Sequence, residues 1–276
     1  MNWTKVALIA VAALAAIGFF IWGILVGNAW AIAIPVVLLG IGVISGLIWV
    51  LDLWQRRAPE TEKPQIEEVE RFSLRARWLH WTIAGICIVM AITGIIFFLH
   101  DWWGIAAMRG YTRGIHRFFA VALVAVPLIY WMTSPKAGLS FIKEAFSYGW
   151  ADLGWAMAAL DYYFGGDESK MPPQGHVNPG QKLWELCIIV CGLLLVVTGA
   201  IMWFFKGAVS PGVFQWSLFT HDLAFIGGTT FFLVHFILGA LHPRMTESLR
   251  SMVTGKISVK YAKSHYRYWY DEISKE

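Results

Sequence analysis

Residues 221–235 read HDLAFIGGTTFFLVH, an apolar stretch with a histidine at each end. Fourteen positions turn an α-helix through about 1,400°, about 40° short of four full turns, so His221 and His235 project from nearly the same face. Along the helix axis the two imidazoles lie about 21 Å apart. One apolar helix therefore presents two histidines at two depths.

The chain around this stretch is too apolar for an ordinary soluble domain. Hydrophobic residues make up 58% of it and charged residues 14%, against about 45–50% and about 25% in soluble proteins. A helix needs about 20 apolar residues to cross the hydrocarbon core of a membrane. Six segments reach that length and predict an all-α integral membrane protein with about six transmembrane helices: 6–26, 29–51, 78–99, 115–133, 183–205 and 216–241.

The order of these segments predicts four regions. An extra N-terminal transmembrane hairpin occupies residues 1–54, and a charged linker follows over 55–76. A four-helix bundle occupies 77–245 and includes a long loop over 134–182, and a basic tail occupies 246–276. Residues 1–31 also loosely resemble a signal peptide, but their apolar run is long for one, which favours a retained helix.

The distribution of basic residues predicts how the chain lies in the membrane. With both termini in the cytoplasm, the cytoplasmic segments hold 18 of the 22 lysines and arginines. Cytoplasmic loops carry this excess of positive charge in membrane proteins. We therefore expect a multi-pass protein of a bacterial or archaeal inner membrane, and no nucleic-acid partner is needed to explain the basic residues.

Four histidines fall inside the last four apolar spans at matching depths. His80 begins its span on the cytoplasmic side, at the depth of His235, and His116 begins its span on the outer side, at the depth of His221. Ionisable residues within membrane spans mark functional sites, and imidazoles on facing helices ligate haem iron. The pattern predicts two b haems, held by His116 with His221 and by His80 with His235. Residues 77–245 would then form a four-helix diheme cytochrome b bundle.

Neighbouring residues suit bound haem. The glycines offer room for a porphyrin, and four arginines at the two depths are suited to pair with its propionates: Gly94, Gly114, Gly199, Gly227, Gly228, Arg75, Arg77, Arg113 and Arg117. The remaining histidines are expected outside the sites, His242 in solvent, the headgroup zone or a quinone mouth, and His100, His176 and His265 at the surface.

A different class of protein uses membrane histidines without haem, as a plain anchor or a proton relay. A relay needs polar groups between the two histidine depths. Between His221 and His235 the helix offers only Asp222, hard against the outer end, and two threonines. This gap favours haem over a relay.

The most characteristic local sequences are RWLHW (77–81), HRFFA (116–120), NPGQK (178–182), LFTHDLAF (218–225), LVHFILGALHPRM (233–245) and SMVTGKISVKYAKSHYRYWYDEI (251–273). In these sequences the chain resembles the gamma (cytochrome b) subunits of membrane-bound formate dehydrogenases that depend on molybdenum or tungsten. The resemblance extends from about Arg71 to Glu276. A cytochrome b subunit of another periplasmic oxidoreductase, such as a hydrogenase, is the alternative within redox chemistry.

The resemblance implies a non-catalytic electron-transfer subunit. Its partners would be an iron–sulfur (beta) subunit and a molybdenum or tungsten catalytic (alpha) subunit in a larger complex, and its electrons would pass to menaquinone or ubiquinone. The same resemblance implies a quinone site at Asn178, Gly180 and Gln181, beside the haem of His80 and His235. From the residues alone, these three are equally suited to a turn.

Overall fold

A computed structural model describes residues 67–99 and 109–275. The predicted N-terminal hairpin, residues 1–54, and most of the predicted linker lie outside the described residues. The helices are α1 Leu74–Phe98, α2 Arg109–Thr133, α3 Pro135–Ala145, α4 Trp150–Tyr163, α5 Pro179–Phe204, α6 Pro211–Phe236, α7 Thr246–Thr254, α8 Val259–His265 and α9 Arg267–Ile273. Two short strands, β1 Glu68–Glu70 and β2 Lys256–Ser258, complete the described elements.

Four of these helices, α1, α2, α5 and α6, are long and apolar enough to cross a membrane. Large apolar side chains such as Ile88, Leu128 and Leu193 point outward from them. A water-soluble protein would bury such side chains, whereas a lipid environment accepts them. The predicted helical membrane bundle is therefore confirmed for the last four spans.

The bundle is built from two antiparallel helix pairs. α1 packs along α2 and α5 along α6, and α1 makes a smaller contact with α6. We call the end at which α1 begins and α7–α9 lie the tail end, and the opposite end the far end. α1 and α5 therefore run from the tail end to the far end, and α2 and α6 run back.

The long helices begin four to six residues before the apolar runs that predicted them, and at α1 and α6 a polar capping residue precedes the first turn. The hydroxyl of Ser73 accepts a hydrogen bond from the Ala76 amide at the start of α1. Ser210 caps α6 in the same way. Such caps satisfy amides that the first helical turn leaves without partners.

α6 ends in a change of helical pitch. Directly after Phe236 the backbone forms a π-helical turn over Ile237–Leu241, and a 3₁₀ turn over Pro243–Met245 follows. Wide turns of this kind are rare and concentrate at functional sites. Here the turn immediately follows His235 and leads the chain out of the bundle into the tail.

At the tail end, the residues before α1 pair with the tail. β1 and β2 are antiparallel, with Val69 opposite Ile257. A small apolar core lies under this ribbon, formed by four buried tail residues: Ile257, Ala262, Tyr266 and Trp269. The tail is therefore a folded cap on the bundle.

Arg71 ties this cap together. Its guanidinium is buried, donates hydrogen bonds to the Ser248 hydroxyl and the His176 carbonyl, and lies 3.7 Å from the centre of the Tyr266 ring. A buried charge is tolerated only with such partners. One side chain thus joins the start of the bundle, the loop 134–182 and the tail.

Candidate functional site

The structure brings the four predicted histidines together in two pairs. At the tail end, the ring centroids of His80 and His235 lie 6.3 Å apart, with ring planes inclined by 59°. At the far end, the centroids of His116 and His221 lie 6.4 Å apart, again at 59°. We call these the tail-end pair and the far-end pair.

These separations fit one iron atom between each pair of rings. A metal–nitrogen bond to histidine is about 2.0–2.1 Å long. With ring bonds of about 1.3–1.4 Å, an imidazole nitrogen lies about 1.15 Å from its ring centroid. Both lengths on either side of one iron give about 6.4 Å between centroids. The spacing, and its repetition at both ends of the bundle, are therefore compatible with one metal-binding site per pair.

Each histidine of the far-end pair bonds to a buried threonine. The Nδ1 atom of His116 lies 2.7 Å from the Thr93 hydroxyl, and Nδ1 of His221 lies 2.8 Å from the Thr198 hydroxyl. In both cases the threonine stands 23 residues before its histidine, on the preceding helix of the antiparallel pair. The two halves of the bundle therefore repeat one arrangement.

The threonine bonds decide which ring nitrogen carries hydrogen. The Thr93 hydroxyl lies 2.9 Å from the Val89 carbonyl, and the Thr198 hydroxyl lies 2.6 Å from the Leu194 carbonyl. A carbonyl only accepts, so each hydroxyl donates its one hydrogen there and accepts from Nδ1–H of the histidine. The Nε2 lone pair is left available as a metal ligand.

The tail-end pair has different surroundings. The Nδ1 atom of His80 is buried and has no hydrogen-bond partner among the described residues. His235 stacks on the indole of Trp184, with centroids 4.9 Å apart and planes 12° apart. Within residues 67–99 and 109–275, no threonine or serine hydroxyl bonds either ring.

The glycines suggested as room for a porphyrin differ in their surroundings, and a Cβ atom added at Gly114 would meet no described residue within 4 Å. A Cβ atom added at Gly199 would lie 3.4 Å from His221 Cε1, so this glycine admits the imidazole. A Cβ at Gly94 would lie only 2.7 Å from Phe225, and Gly227 and Gly228 face Cys191. These three glycines therefore serve helix packing.

Two of the arginines suggested as propionate partners already have neighbours. Arg77 donates to the carbonyl of Val253 in the tail. The guanidinium of Arg117 lies 4.8 Å from the centre of the Trp203 ring at the far end. Stacking of this kind leaves the edge of the guanidinium available for an anion.

Asn178 and Gln181 form a capping box at the start of α5. The Asn178 side-chain oxygen accepts from the Gln181 amide and the Gln181 side-chain oxygen accepts from the Asn178 amide, each at 2.8 Å. Between them, a Cβ at Gly180 would lie 2.9 Å from the Trp155 ring. Helix capping and close packing thus account for all three residues. The box uses the side-chain oxygens and backbone N–H groups of Asn178 and Gln181, and it leaves out their side-chain NH2 groups.

Comparison with known families bears on this geometry. The family described as prokaryotic cytochrome b561 matches residues 71–255, more than half of the chain. The chain belongs to the prokaryotic cytochrome b561 family. It is therefore a multi-pass membrane cytochrome that binds haem b and transfers electrons.

Relatives of this b561-family cytochrome include subunits of formate dehydrogenases. It is 29% identical over 211 residues to the cytochrome b556 subunit of the nitrate-inducible formate dehydrogenase of Escherichia coli K12, covering 72% of this chain and 88% of the relative. A formate dehydrogenase cytochrome b556 subunit of Haemophilus influenzae is 28% identical over 207 residues, covering 71% and 80%. The resemblance found in the sequence motifs is thereby confirmed.

Among the described residues, one histidine outside the two pairs is also buried. His242, expected in solvent, the headgroup zone or a quinone mouth, is buried, and its Nε2 donates to the Tyr163 carbonyl at 3.1 Å. The expectation of solvent was wrong, because the chain after the π-helical turn packs His242 against Tyr163, the last residue of α4. Burial also raises the pKa of the Tyr163 hydroxyl.

Two further histidines expected at the surface take part in the tail-end cap. His265 Nε2 lies 2.8 Å from the Tyr162 hydroxyl. His176 lies beside Glu144, with 4.0 Å between Nδ1 and the carboxylate. Burial alone would raise the pKa of Glu144, but the neighbouring His176, a hydrogen bond from the Ser140 hydroxyl and the charge of Lys182 together hold the pKa below its ordinary value. Spacing along the sequence carries no signal for these long-range contacts.

Proposed function

We propose that this chain is the cytochrome b subunit of a formate dehydrogenase and holds two b haems, one at each histidine pair. The observation that carries the proposal is the double spacing of 6.3 Å and 6.4 Å between ring centroids, at the two ends of an apolar bundle. The similarity to formate dehydrogenase cytochrome b556 subunits supports the choice of enzyme. When bound, each haem would supply reversible one-electron chemistry.

The residues of the chain would hold and insulate these groups. His116 and His221 would bind the far-end haem through Nε2, because the threonine bonds keep hydrogen on Nδ1. His80 and His235 would bind the tail-end haem, with His235 held flat by Trp184. The apolar helices around both pairs keep water away from the path between them.

We place the far end at the periplasmic surface and both termini in the cytoplasm, on the distribution of basic residues. Oxidation of formate yields carbon dioxide, one proton and two electrons, which a partner iron–sulfur subunit would deliver to the far-end haem. Two electrons and two cytoplasmic protons would then convert quinone to quinol at the tail end. Moving each electron inward works against the membrane potential by about 2.3 kcal/mol per 100 mV, so the transfer stores energy.

The quinone, menaquinone or ubiquinone, would bind where α5 begins. Of each side-chain amide, the capping box uses only the oxygen. The side-chain NH2 groups of Asn178 and Gln181 therefore remain outside it as donors to a quinone carbonyl. Gly180 lets the ring of Trp155 lie against the same helix start. An aromatic wall with amide donors is suited to a flat ring with carbonyl groups.

The proposal is tested by haem content and by formate-dependent reduction in the intact complex. We expect two b haems per chain in the wild type, measured as the pyridine haemochrome, and both reduced by formate. His221→Ala removes one ligand of the far-end pair and is expected to leave one haem. His242→Gln is the matched control, since this buried histidine belongs to neither pair, and it should keep two.

Two outcomes would contradict the proposal. Two haems in folded His221→Ala protein would disprove the far-end pair as a ligand set. Reduction of the haems by hydrogen but not by formate would indicate that the chain is a subunit of a hydrogenase instead. A thermal melt of each variant in detergent separates loss of a ligand from loss of the fold.

A further inference from the structure

The two histidine pairs differ in one respect that the proposed function does not use. Both rings of the far-end pair donate from Nδ1 to a buried threonine hydroxyl, whereas in the described residues neither ring of the tail-end pair has a hydroxyl partner. The same ligand type therefore stands in two different hydrogen-bonding environments. The difference affects how each pair stabilises the charge on a bound metal.

A hydrogen bond accepted from Nδ1–H makes the opposite nitrogen of the ring more basic. A more basic ligand stabilises the oxidised iron, which carries one more positive charge, over the reduced iron. In an apolar bundle such a bond is not weakened by competing water. Two such bonds act on the far-end pair, so their effects add on one iron.

Each threonine hydroxyl is also fixed in its role as acceptor. Thr93 lies 2.9 Å and 3.1 Å from two carbonyls of its own helix, those of Val89 and Met90. Thr198 likewise lies 2.6 Å from the Leu194 carbonyl. Because the single hydrogen of each hydroxyl is donated to a carbonyl, neither hydroxyl is able to rotate and donate to the imidazole.

We propose that Thr93 and Thr198 are positioning residues that hold the midpoint potential of the far-end haem below that of the tail-end haem. Electrons delivered to the far end then run downhill toward the tail end. The direction of transfer is thus built into two hydroxyl groups, 23 residues before each far-end histidine. This inference rests on the proposed function, since it requires a haem at each pair.

The chain offers a matched control for removal of these hydroxyls. Thr133 lies 2.9 Å and 3.1 Å from the carbonyls of Ile129 and Tyr130, which are the distances found at Thr93. No hydrogen bond to a histidine accompanies it in the described part of the chain. Thr133→Val therefore reproduces the change in helix chemistry without touching a haem ligand.

The test is a potentiometric titration of both haems in the purified complex, followed by absorbance and electron paramagnetic resonance. The far-end signal is the one that His221→Ala removes. In Thr93→Val and Thr198→Val we expect the oxidised-to-reduced ratio of that haem to fall about three- to tenfold at a fixed potential, where tenfold is about 59 mV for a one-electron couple. The tail-end haem should keep its midpoint potential. Thr93→Ser and Thr198→Ser, which retain the hydroxyl, should keep the wild-type midpoint potential of the far-end haem.

An unchanged far-end potential in the valine variants, with both haems present, would overturn the inference and leave the proposed function standing. So would an equal shift of both haems, or the same shift in Thr133→Val. A far-end potential above the tail-end one in the wild type would also overturn it. A wild-type complex with fewer than two haems would instead disprove the proposed function.

Discussion

The proposed quinone contact at Asn178 is separable from the structural role of the same side chain. Asn178→Ser keeps a hydroxyl oxygen that caps α5 but removes the amide N–H group, and Asn178→Ala removes both. Ser210→Ala removes the equivalent cap of α6 at the far end, away from the proposed quinone site. Together, these three variants distinguish the effect of helix capping from the effect of quinone binding.

The structure sets the expected magnitudes. Loss of an N-cap costs about 1 kcal/mol of folding free energy, so Asn178→Ala and Ser210→Ala should be destabilised to a similar degree and Asn178→Ser much less. A lost hydrogen bond to a quinone carbonyl is worth about 0.5–1.5 kcal/mol, which is roughly a two- to twelvefold rise in KM for quinone. That rise is expected in both Asn178 variants and not in Ser210→Ala.

The assay is formate-dependent reduction of a soluble quinone by the intact complex, with KM and kcat determined separately and a thermal melt for each variant. Haem reduction by dithionite checks that the cofactors are in place. If Asn178→Ser keeps the wild-type KM, the amide is no quinone ligand and Asn178 is only a cap. If Ser210→Ala raises KM as much as Asn178→Ala, the effect reports helix stability.

Four further variants test the packing at the tail end. Gly255 and Gly165 both adopt left-handed backbones, with φ of 89° and 92°, but only at Gly255 would a Cβ meet main chain, at 2.9 Å. Alanine should cost about 1–2 kcal/mol at Gly165 and more at Gly255 in thermal unfolding, and equal losses would contradict the packing. Gly180→Ala forces a methyl group against the Trp155 ring and should cost about 1–3 kcal/mol, so an unchanged melting temperature would disagree with the structure. Because the pKa of Glu144 is depressed, the stabilisation by its charged form is complete above the ordinary value of 4.5 and is lost as pH falls below it. In Glu144→Gln the free energy of unfolding should therefore decrease less between neutral and acid pH than in the wild type. A pH dependence parallel to that of the wild type would exclude this role.

The bundle itself was predictable from the sequence. Uninterrupted apolar runs identified α1, α2, α5 and α6, because a membrane demands length and apolarity together. The 14-residue spacing of His221 and His235 placed two rings on one face. Matching depths then suggested the partners, and the structure brings the same rings within 6.4 Å of each other.

No comparable sequence signal predicts the tail-end cap. Strands of three residues have no measurable alternation, and the pairing of Val69 with Ile257 joins distant parts of the chain. Arg71 is likewise buried among three segments, and nothing in its local sequence predicts this burial. Such placements depend on tertiary contacts that no local pattern encodes.

The threonines lie between these two cases. A threonine 23 residues before a histidine occurs at both Thr93 and Thr198, and this repeat was visible in the sequence. Its meaning required the structure, because only a hairpin of two antiparallel helices brings the two positions to the same depth. A search for repeated spacings across helix pairs would have found both.

The ribbon of β1 and β2 also has a consequence for biosynthesis. The ribosome completes β1 before the first helix of the bundle and β2 only after the last one. During synthesis, α1 is therefore complete before β1 has its partner strand. The indole of Trp81 donates to the Met252 carbonyl at 2.9 Å, and this partner is absent until the tail has been made. Because these contacts depend on residues made last, we expect the tail to fold onto the bundle after the long helices have been synthesised.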